Sequence, residues 1–116
     1  MNLNNKVYYD KENDILSIHK GFSSDEKFKG NIDVGKLILD VSTQGKIRGI
    51  EIMDATKFFK EFNINEEILE DMTNADFNAT INPNSIIIGI VIKAKNIANE
   101  IPAKIAVPLE TPILAY

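Results

Sequence analysis

The sequence predicts an α+β domain. About seven mostly antiparallel strands form a curved sheet or a partly open barrel, with two short helices inserted mid-chain. Three observations predict it. Short apolar runs alternate with polar residues at strand period, as in "DILSIHK" and "KLILDVS". Clusters of Gly, Asn and Asp separate those runs by turn-length gaps. Helical signals with a capping residue before each run fall mid-chain, in residues 55–72.

The elements follow in order. Residues 6–9 and 14–20 are two strands joined by "DKEN", where Asp10 caps its own turn and Asn13 tolerates a left-handed backbone. Leu16 and Ile18 share the core face, while Ile15, Ser17 and His19 share a wetter one. Residues 20–30 read as a charged loop, and strand pattern resumes at 31–34 and 36–42. "STQG" then turns the chain into a partner strand at 46–53, with Gly45 in the left-handed position. Ile47 and Ile50 are three apart and cannot share a face of a regular strand. A bulge near Arg48–Gly49 returns both to the core.

Asp54 is placed as N-cap of a helix over 55–62, whose Phe58, Phe59 and Phe62 pack on the sheet. Asn65 caps a second helix over 66–72. Ile64 and Leu69 staple its start, and Glu66 and Glu67 suit its dipole. Residues 77–82 and 85–93 are strands around the turn "NPNS". The second is apolar on both faces: Ile86, Ile88, Ile90 and Ile92 on one, Ile87, Gly89 and Val91 on the other. It is expected to be central and covered twice, by the core and by helices or a second subunit. Residues 94–101 are compatible with a short helix or a loop. Pro102 and Pro108 bracket the last strand, 102–109, and place it at an edge. The tail "ETPILAY" is apolar enough to dock.

Residues 1–116 read as one domain, without repeat or linker. The net charge of −4 and a single arginine, Arg48, disfavour nucleic acid as a partner. With no cysteine there is no disulfide, thiolate metal site or cysteine nucleophile. The longest apolar run, Ile86 to Ile92, is too short to cross a bilayer, so no membrane partner is expected. The start "MNLNNKVYYD" lacks the apolar stretch of a secretory signal, and a cytoplasmic location is expected.

Taken together, "YYDKENDILSIHK" and "LILDVSTQGKIRGIEIMDAT" show an ordered pattern. It runs from Tyr9 and Asp10 through Asp14, Leu16 and Ile18, then Ile38, Leu39, Asp40 and Gly45, to Gly49–Ala55. This resembles a widespread family of small uncharacterised prokaryotic proteins, a domain of unknown function, over residues 8–58. Residues 59–116 add the second helix and further strands. The resemblance implies the β-hairpins and the helix that follows them. It implies no reaction, substrate or catalytic residue, and an antitoxin-like or partner-binding role at most.

Three groups of residues carry possible chemistry. "DKEND" sets Asp10, Glu12 and Asp14 at alternate positions, like the opening of a calcium loop. A complete loop needs glycine sixth and glutamate twelfth, and Ile15 and Gly21 stand there. A looser calcium or magnesium site requires Asp40, Glu51 or Asp54 to approach that turn. His19, the single histidine, needs an orienting carboxylate to act as a base, and Ser17 lies roughly 7 Å away at strand spacing. Asp40, Glu51 and Asp54 read most economically as sheet-surface charges and a helix cap. The leading function is therefore a non-enzymatic interaction module, forming a homodimer or binding a small protein. The alternatives are cation binding through Asp10, Glu12, Asp14 and Asp40, and a small enzyme using His19 with a carboxylate.

Overall fold

A computed structural model describes residues 5–109. It contains eight strands: β1 Lys6–Asp10, β2 Ile15–His19, β3 Phe28–Asp33, β4 Leu37–Ser42, β5 Ile47–Met53, β6 Met72–Asn82, β7 Ser85–Ala94 and β8 Ile101–Pro108. Between β5 and β6 lie α1 (Ala55–Phe59), a 3₁₀ turn at Lys60–Phe62 and α2 (Glu66–Glu70). The α+β class and the antiparallel pairing are as expected. The strands divide into two sheets, with no closed barrel: a five-stranded sheet in the order β1-β2-β5-β4-β3 and a three-stranded sheet β6-β7-β8.

One core joins the two sheets. Leu16, Ile18, Leu39, Ile50 and Ile52 supply it from the first sheet, and Phe77, Ile86, Ile88, Ile90 and Ile92 from the second. The helical segment contributes Ala55, Phe59, Ile64 and Leu69. Of the three phenylalanines, Phe59 is the one fully buried, and Phe58 and Phe62 pack around it half-buried. Asn5 and Lys20, at the ends of β1 and β2, tie the first sheet to β6 of the second. Asn5 Nδ2 donates to the Ala75 carbonyl at 3.0 Å, and the Lys20 ammonium lies 4.6 Å from the Phe77 ring centroid.

The anticipated bulge is present. Asp40 pairs with Gly49 and Val41 with Ile47, so Arg48 is the extra residue and Ile50 reaches the core at 2% exposure. Asn65 caps α2, its Oδ1 accepting the Ile68 N–H at 2.9 Å. Pro102 and Pro108 lie on β8, an edge strand.

Several boundaries differ from the sequence reading. β3 begins at Phe28, inside the expected loop, because a bulge between Phe28 and Gly30 extends its pairing with β4. α2 ends at Glu70, and β6 starts at Met72, where its ladder with β7 already forms. Residues 94–101 hold no helix; the chain turns there before β8. The apolar helical residues fill the core, so Ile87, Gly89 and Val91 of β7 are half-buried on a face outside that core. The tail 110–116 lies outside the described residues.

Candidate functional site

The β1–β2 turn is a structural clamp. Asp14 adopts a left-handed backbone, φ 55°, which aims its carboxylate at the start of α1. Its oxygens accept the Thr56 N–H at 3.1 and 3.2 Å, the Thr56 hydroxyl at 2.6 Å and the Tyr9 hydroxyl at 2.7 Å. The Asp14 carbonyl also accepts the Ala55 N–H at 2.9 Å. The cap of α1 therefore comes from Asp14, 42 positions away from Thr56 in the chain. Asp54, expected in that role, has φ 51°, makes no side-chain cap bond, and instead pairs with Lys36 at 2.8 Å. Burial works to raise the Asp14 pKa; the bonds from Thr56 and Tyr9 override it and hold the carboxyl below its ordinary value. Burial and the Asp14 carboxylate together push the Tyr9 phenol up. From the same turn, Lys11 reaches Glu70 of α2 at 2.7 Å.

The four candidate metal ligands are distributed as follows. Asp10 is engaged by Asn13, whose Nδ2 donates at 2.8 Å. Glu12 is exposed. Asp14 is the cap just described. Asp40 sits opposite Gly49, while the turn lies beyond the Ile15–Met53 pair, four positions along β5 or about 13 Å at strand rise. Glu51 is exposed between Ser17 and Ile38. Among the described residues no group of three or more His, Asp or Glu is placed to hold a metal ion. Calcium added to the protein is accordingly expected to leave its melting temperature unchanged; a rise that saturates with calcium would place a cation site here.

A second group assembles on the outer face of the five-stranded sheet. The register places Lys6, His19, Gly49, Asp40 and Asn31 in one row across all five strands. Gly49 has no side chain, so His19 and Asp40 face each other above it, with His19 Nε2 3.8 Å from Asp40 Oδ2. A Cβ at Gly49 would lie 2.6 Å from the His19 ring and 2.7 Å from the Asp40 carboxylate. The glycine thus serves the bulge and also makes room for this pair. Asn31 Nδ2 donates to the other Asp40 oxygen. His19 Nδ1 accepts the Gly21 N–H at 2.8 Å. Nδ1 is therefore taken by the Gly21 amide, while Nε2 faces Asp40 at 3.8 Å, beyond hydrogen-bond reach. The unprotonated nitrogen, the one a general base would use, is the one bonded to the Gly21 amide.

Arg48, displaced outward by the bulge, anchors the 20–27 loop over the end of this row. Its Nε donates to the Gly21 carbonyl at 2.8 Å and pairs with Glu26 at 3.1 Å. The Glu26 side chain is 1% exposed and also accepts the Ser23 N–H at 2.9 Å. That amide bond, with help from Ser42 and Arg48, holds the Glu26 carboxyl below its ordinary pKa. Glu26 and Asn31 were not legible as site residues. Glu26 lies in a stretch without periodicity, and Asn31 is one asparagine among many.

Comparison with known proteins bears on the first sheet. Residues 6–55 match the family described as "Protein of unknown function (DUF2283)". That stretch is the complete five-stranded sheet through Ala55, and it includes the motifs on which the family resemblance rests. A Methanosarcina mazei protein, provisionally named a hypoxanthine phosphoribosyltransferase, is 34% identical over 67 residues, 58% of this chain and 50% of its own length. An uncharacterised protein of Methanocaldococcus jannaschii is 37% identical over 54 residues, 47% of this chain and 44% of its own. The chain thus spans about half the length of the curated relatives it matches. No solved structure matches it significantly.

Proposed function

We propose that this protein is a non-enzymatic interaction module that self-associates through the outer face of its three-stranded sheet. The observation that carries the reading is the central strand β7. Its Ile87 and Val91 belong neither to the core nor to the residues packed against it. They face outward, paired with Ala106 and Pro102 of β8, and Gly89 between them keeps the surface low. Thr80 lies opposite Ile87 and Asn78 opposite Gly89 on β6, while the charged groups, Asp76 opposite Val91 and Lys104 opposite Gly89, stand on the flanking strands. An apolar stripe with a polar border is the form of a protein contact surface.

The strand edges support face-to-face contact over strand addition. Pro102 and Pro108 remove donors from the β8 edge, and the bulge in β3 distorts the opposite sheet's edge. Among the described residues no helix is long and apolar enough to cross a membrane. The phosphoribosyltransferase name belongs to a relative of which half is matched, and this sequence has no glycine-rich phosphate loop. The reading does not draw on that chemistry.

Analytical ultracentrifugation across a concentration series tests the proposal. The expected result is a dimer that Ile87→Lys converts to monomer without a large change in melting temperature. A natural chain that stays monomeric throughout contradicts it.

A further inference from the structure

We propose that His19 is a proton-sensitive latch for the loop that follows β2. The Gly21 N–H donates to Nδ1 at 2.8 Å, so Nδ1 carries no proton while the loop is closed. The contact runs from a side chain to the amide two residues on, the geometry of an Asx turn with imidazole in place of a carboxylate. Gly21 permits it with φ 78°, a conformation that other residues rarely adopt. Arg48 Nε holds the Gly21 carbonyl from the other side, and Phe22 packs edge-on against the His19 ring with centroids 5.2 Å apart.

Protonation turns Nδ1 from acceptor to donor. Two donors then face each other and the Gly21 bond is lost. The Nε2–H, 3.8 Å from Asp40, gains attraction as the ring becomes charged. The charged groups around the ring divide by side. Lys6 lies opposite His19 on β1, and Lys20, next in the chain, is drawn to Asp76 of β6 at 3.7 Å. Arg48 of β5 is paired with Glu26, and Asp40 of β4 is the carboxylate facing the ring. A charged imidazole is therefore pulled toward Asp40 and away from the loop. The Gly21 amide loses its acceptor, while the Gly21 carbonyl stays on Arg48 and Ser23 stays joined to Glu26.

Nuclear magnetic resonance of the full chain tests this, following the Gly21 amide and the His19 ring across the range in which histidines titrate, roughly pH 8 to 5. The expected result is that the Gly21 amide signal moves with the same midpoint as the ring, while the Thr43 amide, bonded to the Lys27 carbonyl, does not. His19→Asn keeps an acceptor for the Gly21 amide and does not titrate, so in that variant the Gly21 signal should stay constant with pH. A Gly21 amide indifferent to the ring's titration overturns the proposal, as does the same titration persisting in His19→Asn.

Discussion

Replacing Asp14 by alanine lowers stability by about 3 kcal/mol. Hydrogen bonds to a charged acceptor contribute about 1.5–3 kcal/mol each in favourable cases, and loss of a helix cap costs about 0.5–2 kcal/mol. Four contacts to the carboxylate disappear together, from the Thr56 amide, the Thr56 hydroxyl and Tyr9. They share one acceptor, so their losses do not add in full. Alanine also enters a left-handed conformation, φ 55°, at a further cost of about 1 kcal/mol. Asp14→Gly separates the two contributions, because glycine removes the bonds but accepts the backbone. Urea unfolding should rank the natural protein above Asp14→Gly, and Asp14→Gly above Asp14→Ala. Equal midpoints for all three would mean that the turn does not hold α1.

The same cap sets a pH dependence. Asp14 has a folded pKa below its ordinary value, so its contribution is complete above the unfolded pKa of about 3.9. It is lost as pH falls through the lower, folded value. Asp10, Asp25 and Glu26 are shifted the same way, chiefly by bonds from Asn13, from Ser23, and from the Ser23 amide respectively. Acid therefore destabilises the natural protein below about pH 4. The stability gap between it and Asp14→Gly should narrow over that interval. A constant gap would show that the carboxylate's charge has no part in the cap.

Phe59→Ala is expected to cost about 3–5 kcal/mol, the range for truncating a buried aromatic. Phe59 is fully buried and joins the helical segment to the core that both sheets share. Domains of this kind have a total stability of roughly 5–15 kcal/mol, so the variant should lose a large share of it. Phe58→Ala, at a half-buried neighbour, should cost clearly less. Circular dichroism during urea unfolding reads both, and equal losses would contradict the packing order.

The alternation of apolar residues made the strands and much of the core legible in advance. Leu16 and Ile18, or Leu37, Leu39 and Val41, repeat at a period that one buried face requires. The Arg48 bulge was legible for the same reason: Ile47 and Ile50 are out of phase, and a glycine adjoins them. What periodicity cannot show is which distant residue completes a local need. Asp54 had the right position and residue type for the α1 cap, yet Asp14 does that work across the hairpin. The His19–Asp40 row depends on strand order: β2 and β4 are separated in sequence by β3 and become near neighbours only because β5 inserts between them. The division into two sheets was hidden likewise, since every hairpin reads the same whether or not it joins its neighbours.

The account's central claim is that the outer face of β7 is a contact surface between copies of this chain. The most direct measurement is the mass of the natural protein in sedimentation equilibrium, set beside Ile87→Lys and Tyr8→Lys. Tyr8 is 65% exposed on β1 of the other sheet and serves as a control for a charge placed elsewhere. The account predicts a dimer for the natural chain and for Tyr8→Lys, and a monomer for Ile87→Lys. A monomer in all three, or a dimer unaffected by Ile87→Lys, would contradict it.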